Sequence, residues 1–137
     1  MITYCDSLLG ITADHLRGGF FNGWPTPPTP ETHLKLLEGS SHLVLARDGE
    51  AGQVVGYITA ISDQVLSAYI PHLEVLPTYR GQGIGSQLVE HMLDQLRHLY
   101  MIDLICDPDV QPFYTRFGLR PYSGMIYRNY DRQAGDG

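Results

Sequence analysis

Arg80-Gly81-Gln82-Gly83-Ile84-Gly85-Ser86 stands between an apolar run of strand composition, residues 68–76, and a stretch where Leu88, Val89, Met92, Leu93, Leu96 and Leu99 recur at helical spacing. A glycine-rich turn placed there exposes the free N–H groups of a helix start at the positive end of its dipole. Glycines let a ligand approach that backbone closely, and Arg80 adds a cation, so the turn suits two linked phosphates. The dinucleotide fingerprint needs a sixth-position glycine, which counted from Gly81 is Ser86. The P-loop needs a lysine that this turn lacks. Both familiar nucleotide motifs fail.

Working outward, residues 101–106 form a compact apolar strand after the helix, which predicts a parallel, right-handed strand–helix–strand crossover with the glycine turn at its first corner. A short helix over 109–117, stopped by Gly118, and a closing strand over 125–130 are expected to follow. Upstream, Pro71 lies inside the strand at 68–76 and predicts a bulge or a splayed strand, because proline donates no ladder hydrogen bond. Residues 42–47 and 54–61 are β-rich and joined by Asp48-Gly49-Glu50-Ala51-Gly52, an antiparallel hairpin.

Thr29 with Pro30 and Glu31 reads as the capped start of a helix over 30–38. Residues 2–4 read as a short opening strand, and Thr12 as the cap of a short helix to Arg17. Between these helices lies a loop stiffened by Pro25, Pro27, Pro28 and Pro30 that carries Phe20, Phe21 and Trp24.

The 137 residues suit one domain, here 1–132, with 133–137 as a flexible tail. A hydrophobic content of 43% with 18% charged residues is that of a globular chain. The net charge of −6, with only Lys35 and eight arginines as fixed cations, argues against a nucleic-acid surface and mildly favours cationic acceptors. Cys5 and Cys106 show no metal or redox spacing, and the N-terminus has no basic segment ahead of its short apolar stretch. No apolar run approaches the ~18 residues of a membrane span. A cytoplasmic protein with reduced thiols and no membrane partner is expected. Six histidines, His91 and His98 among them, complete no ligand spacing, so no metal is expected.

The turn matches Gln/Arg-x-x-Gly-x-Gly/Ala, and Pro112-Phe113-Tyr114-Thr115-Arg116-Phe117-Gly118 follows one crossover later. In this order the two segments resemble the GNAT superfamily of N-acetyltransferases, most securely over residues 58–127. The resemblance implies an α/β fold (α+β in some schemes): a single mixed, mostly antiparallel sheet of about six or seven strands flanked by about four helices. Two central parallel strands would splay to hold coenzyme A.

The implied reaction moves the acetyl group of acetyl-CoA to a primary amine of a small molecule or peptide, by direct attack in a ternary complex. Backbone groups of Val75 and Leu76 would hold the pantetheine and thioester, with Arg80 and the amides of Gly81, Gln82, Gly83, Ile84, Gly85 and Ser86 on the pyrophosphate. Tyr114 would protonate the departing thiolate. Glu74 is the candidate base, directly or through water, if burial raises its pKa; His72 is the alternative base and an acceptor contact. Phe21 and Trp24 would wall the acceptor site.

Each assignment has a plainer counterpart: Tyr114 and Trp24 as core residues, Glu74 as an exposed strand residue. The Asp107-Pro108-Asp109 segment departs from the asparagine that many members carry there, which places cofactor contact at that point in doubt. Rival readings are a non-catalytic acyl-CoA-binding module and a partner-binding domain built on the proline loop. A homodimer is left open.

Overall fold

The computed structural model describes residues 1–136; Gly137, the last residue of the expected tail, lies outside them. Five strands form one sheet: β1 (Ile2–Cys5), β2 (His42–Asp48), β3 (Val54–Ser62), β4 (Ser67–Val75) and β5 (Met101–Asp103). They lie side by side in chain order, antiparallel except for the parallel pair β4 and β5. Three α-helices accompany it: α1 (Pro30–Glu38), α2 (Ile84–Gln95) and α3 (Gln111–Thr115).

Local chemistry sets the helix limits. The Thr29 hydroxyl accepts from the Thr32 N–H at 3.1 Å, and Pro30 follows at the first helical position, so α1 begins where the capping pattern puts it. Gly83, at φ 81°, caps α2 in the left-handed region that side chains avoid. Thr12 begins only one turn of 3-10 helix, Ala13–Leu16. Helix α3 is just five residues long and carries Pro112 in its first turn, where a missing N–H costs no helical bond, after a 3-10 turn at Pro108–Val110.

β3 is buried on both faces from Val54 to Ala60. Alternation along the strand sends Tyr57 toward α1, where its ring lies 4.6 Å from that of His33, and sends Gly56 toward α2. A Cβ at Gly56 would come within 3.2 Å of Leu88 Cδ1 and 3.3 Å of Ile84 Cγ2, so the missing side chain is what lets α2 lie this close to the sheet. Leu37 and Leu88 are fully buried on their respective sides. Truncating either to alanine would cost about 2–5 kcal/mol.

Two expectations are corrected. The sheet has five strands rather than six or seven, and three α-helices rather than four. The closing strand at 125–130 does not form: residues 120–130 are all exposed, and Met125 and Tyr127 stand 97% and 85% open. The cause lies at β5, which pairs with β4 over just three residues, Met101 to Asp103. The later segment runs past Ile105, its Gly124 close to that side chain, without finding a ladder to join. Strand composition alone does not supply a partner edge. In the expected tail, Gln133 accepts a 3.0 Å hydrogen bond from the Thr26 N–H, so this end of the chain is tied to the proline loop.

Candidate functional site

β4 positions both halves of the site. Thr59 pairs with His72 and Ile61 with Tyr69, so Ala60 faces both Ile70 and Pro71, a bulge where the proline predicts one. On the other side, pairing with β5 covers only Ser67, Ala68 and Tyr69. From Ile70 onward the two parallel strands part, leaving a gap that leads toward the glycine turn.

Register assigns the faces. Glu74 lies opposite Tyr57 and His72 opposite Thr59, so both side chains share the α1 face. Val75, opposite Gly56, faces α2 instead, its Cγ2 close to Gly85. One strand therefore offers a polar pair to one side and an apolar edge beside the turn to the other.

On the turn side, Gly81 and Gly83 have φ of 80° and 81°, and an added Cβ at either would meet nothing within 4 Å. The backbone is bare there. Gln87 donates the first helical hydrogen bond, to Gly83 O at 3.1 Å, so the amides of Ile84, Gly85 and Ser86 belong to the set that a helix start leaves without intrahelical acceptors. Arg80 folds back so that its Nε donates to Val75 O at 3.1 Å. The Leu76 N–H is already engaged by Val55 O at 2.8 Å, which restricts it to a sheet role.

Arg116 was not singled out from the sequence. It donates to Ser86 Oγ at 3.2 Å and lies over the Phe113 and Phe117 rings at 5.6 and 5.5 Å. A second cation is thus fixed at the helix start. Its signal was an arginine on the helix that returns from the crossover. These residues fit a diphosphate: open amides, a helix dipole and two arginines, with no carboxylate bonded to Arg80 or Arg116 among the described residues.

Tyr114 is half-buried beside Phe113, ring centroids 5.0 Å apart. Burial, then the nearby Cys106, push its phenol up to about 12, so it stays protonated at neutral pH. It lines neither of the two cavities described next.

On the α1 face, a polar cavity of about 310 Å³ brings together Phe21, Tyr57, His72, Glu74 and Arg80. The Phe21 N–H donates to both Glu74 carboxylate oxygens at 3.0 Å. Phe21 has φ 62°, a left-handed conformation costing about 1–3 kcal/mol in a non-glycine residue. The carboxylate is what meets the amide presented by that conformation. Burial raises the Glu74 pKa, opposed by the Phe21 and Asn22 amides and by Arg80. His72 is lowered by burial and so favours the neutral ring. Tyr57, another residue not singled out from the sequence, is raised by burial and then by Glu74.

Beneath them His33 is 1% exposed, packed on Phe20, Phe21 and Tyr57, its Nε2 without a partner. Burial, then His72, lower it to about 4. A second cavity of about 330 Å³ adjoins the first and shares Phe21, Trp24 and His72 with it. The expected acceptor residues Phe21, Trp24, His72 and Glu74 are thus one group. Among the described residues no cluster suited to a metal ion occurs, and no helix is long and apolar enough to cross a membrane.

The model of the GNAT acetyltransferase family matches residues 11–119. A protein of Deinococcus radiodurans R1 assigned as an acetyltransferase has a crystal structure that is 49% identical and covers 97% of this chain and 92% of that one, with a TM-score of 0.92. A GNAT family acetyltransferase of Streptococcus pneumoniae TIGR4 is 31% identical over 94% of this chain and 98% of its own, with a TM-score of 0.75. Among curated proteins, the uncharacterized N-acetyltransferase ycf52 of Pyropia yezoensis is 29% identical over 99 residues, 70% of this chain and 57% of that protein. The chain spans about half the length of the curated relatives it matches.

Proposed function

Because this chain belongs to the GNAT family of acetyltransferases, we propose that it transfers the acetyl group of acetyl-CoA to a primary amine of a small molecule or peptide, by direct attack in a ternary complex. The observation that carries this reading is β4 itself. It opens toward a bare-amide turn on one side and presents a half-buried carboxylate and imidazole on the other.

In this reading the amides of Gly81 to Ser86, with Arg80 and Arg116, hold the pyrophosphate, and the edge of β4 at Val75 and Leu76 lines the pantetheine. Acetyl-CoA supplies the activated acyl group. Glu74, its oxygens already accepting from Phe21, keeps the acceptor loop in place and draws in the ammonium. His72, held neutral by burial, takes the proton that the amine must lose before it attacks. Tyr114, protonated across the neutral range, returns a proton to the thiolate. The two free cysteines fit a reducing, cytoplasmic setting.

The test is acetyl-CoA binding by calorimetry alongside acetyl-CoA consumption with an amine panel. Gly83→Glu should abolish binding without unfolding the chain, since the side chain enters the phosphate position. Tyr114→Phe should lower kcat about 10²-fold or more while binding persists. Acetyl-CoA binding by the parent with no turnover on any amine would refute the enzyme reading; undiminished binding by the Gly83 variant would refute the turn's role.

A further inference from the structure

The two cavities on the α1 face adjoin at Phe21, Trp24 and His72, which line both, and differ in chemistry beyond those residues. In the first stand Glu74, His72 and Tyr57, the polar groups suited to an amine. The second cavity is mostly apolar, walled by Phe21, Trp24, Pro28 and Leu36. Lys35 lines the second cavity and not the first, together with Thr32, Gln133 and Gly135.

Lys35 is the only lysine in the chain. Its natural partner one helical turn earlier, Glu31, is taken by Arg17 at 2.8 Å, and Arg17 is bonded to Asp14 as well. Among the described residues Lys35 makes no salt bridge. An ammonium with no salt bridge among the described residues, in a chain of net charge −6, lining a mostly apolar cavity, is placed to meet an anion arriving with a ligand.

Resting on the acetyl-transfer reading, we propose that the acceptor carries its reactive amine at one end of a flat apolar body and an anionic group, carboxylate or phosphate, at the other, which Lys35 binds. Glu74 and Lys35 then select for the same molecule from opposite ends, and an uncharged tail leaves the lysine without a partner.

Trp24, the single tryptophan, lines both cavities, so its fluorescence reports occupancy whether or not turnover follows. The wild-type protein, saturated with coenzyme A, is titrated with para-aminomethylbenzoate, para-aminomethylphenyl phosphate and the neutral para-aminomethylbenzamide. At least one anion should quench Trp24 at a concentration about tenfold or more below the benzamide, and the stronger of the two identifies the anion. Lys35→Gln should remove the difference and Lys35→Arg should keep it, with benzamide binding unchanged in both. Equal quenching by acids and amide in the wild type, or a difference that survives Lys35→Gln, would overturn the anion site. Anion-selective quenching with no acetyl transfer to any of the three under acetyl-CoA would instead count against the acetyl-transfer reading and leave Lys35 as an anion site.

Discussion

His33→Phe isolates the energetic consequence of a buried imidazole. The ring is 1% exposed, has no partner for Nε2 and titrates at about 4 instead of 6.5, because burial and then His72 disfavour its charged form. Between those values the unfolded chain holds a proton that the native state excludes. Stability therefore falls as pH is lowered through that window and is fully present above it. From pH ~7.5 to pH ~4 the loss attributable to His33 is about 3 kcal/mol.

His72, also lowered by burial, acts in the same direction. Glu74, raised by burial, acts in the opposite one, since its native form takes up a proton first as pH falls. Phenylalanine keeps the ring contacts with Phe20, Phe21 and Tyr57 and removes only the titration. Urea unfolding followed by circular dichroism across that range should show a pH dependence shallower by about 3 kcal/mol in the variant than in the parent. Identical slopes, whatever the offset at neutral pH, would refute the claim that His33 folds neutral.

Two other outcomes are expected. Glu74→Ala should destabilise by about 1.5–3 kcal/mol, because the Phe21 amide loses a charged acceptor while its left-handed conformation stays costly; Glu74→Gln should recover part of this in the same urea titration, and no recovery would make the carboxylate's charge the whole effect. Gly56→Ala should cost about 1–3 kcal/mol by wedging α2 off β3, whereas unchanged thermal stability would mean that the helix yields freely at Leu88 and Ile84.

Legibility in the sequence followed how local the determinant was. Helix α1 was readable to the residue because Thr29 and Pro30 act within one turn, and the bulge because Pro71 lacks a donor wherever it sits. The strand at 101–106 was read three residues too long, since its end depends on where β4 stops running beside it. The same dependence undid the strand at 125–130. On the site, the glycine turn was legible from residue type, whereas the grouping of Phe21, Trp24, His72 and Glu74 was expected only through the family resemblance. Tyr57 resembles any strand aromatic until the register sets it opposite Glu74, and Arg116 any surface arginine until α3 returns to Ser86.

The lone lysine also bears on how this protein can be handled. Amine-directed chemistry, whether a fluorophore, a crosslinker or stray acetylation by a reactive thioester, has a single lysine to attack, and that lysine lines the cavity beside Phe21 and Trp24. Coupling the chain to a surface through lysine would obstruct the cavity under study. Conversely, an acetyl group found on a lysine of this chain would mark that cavity.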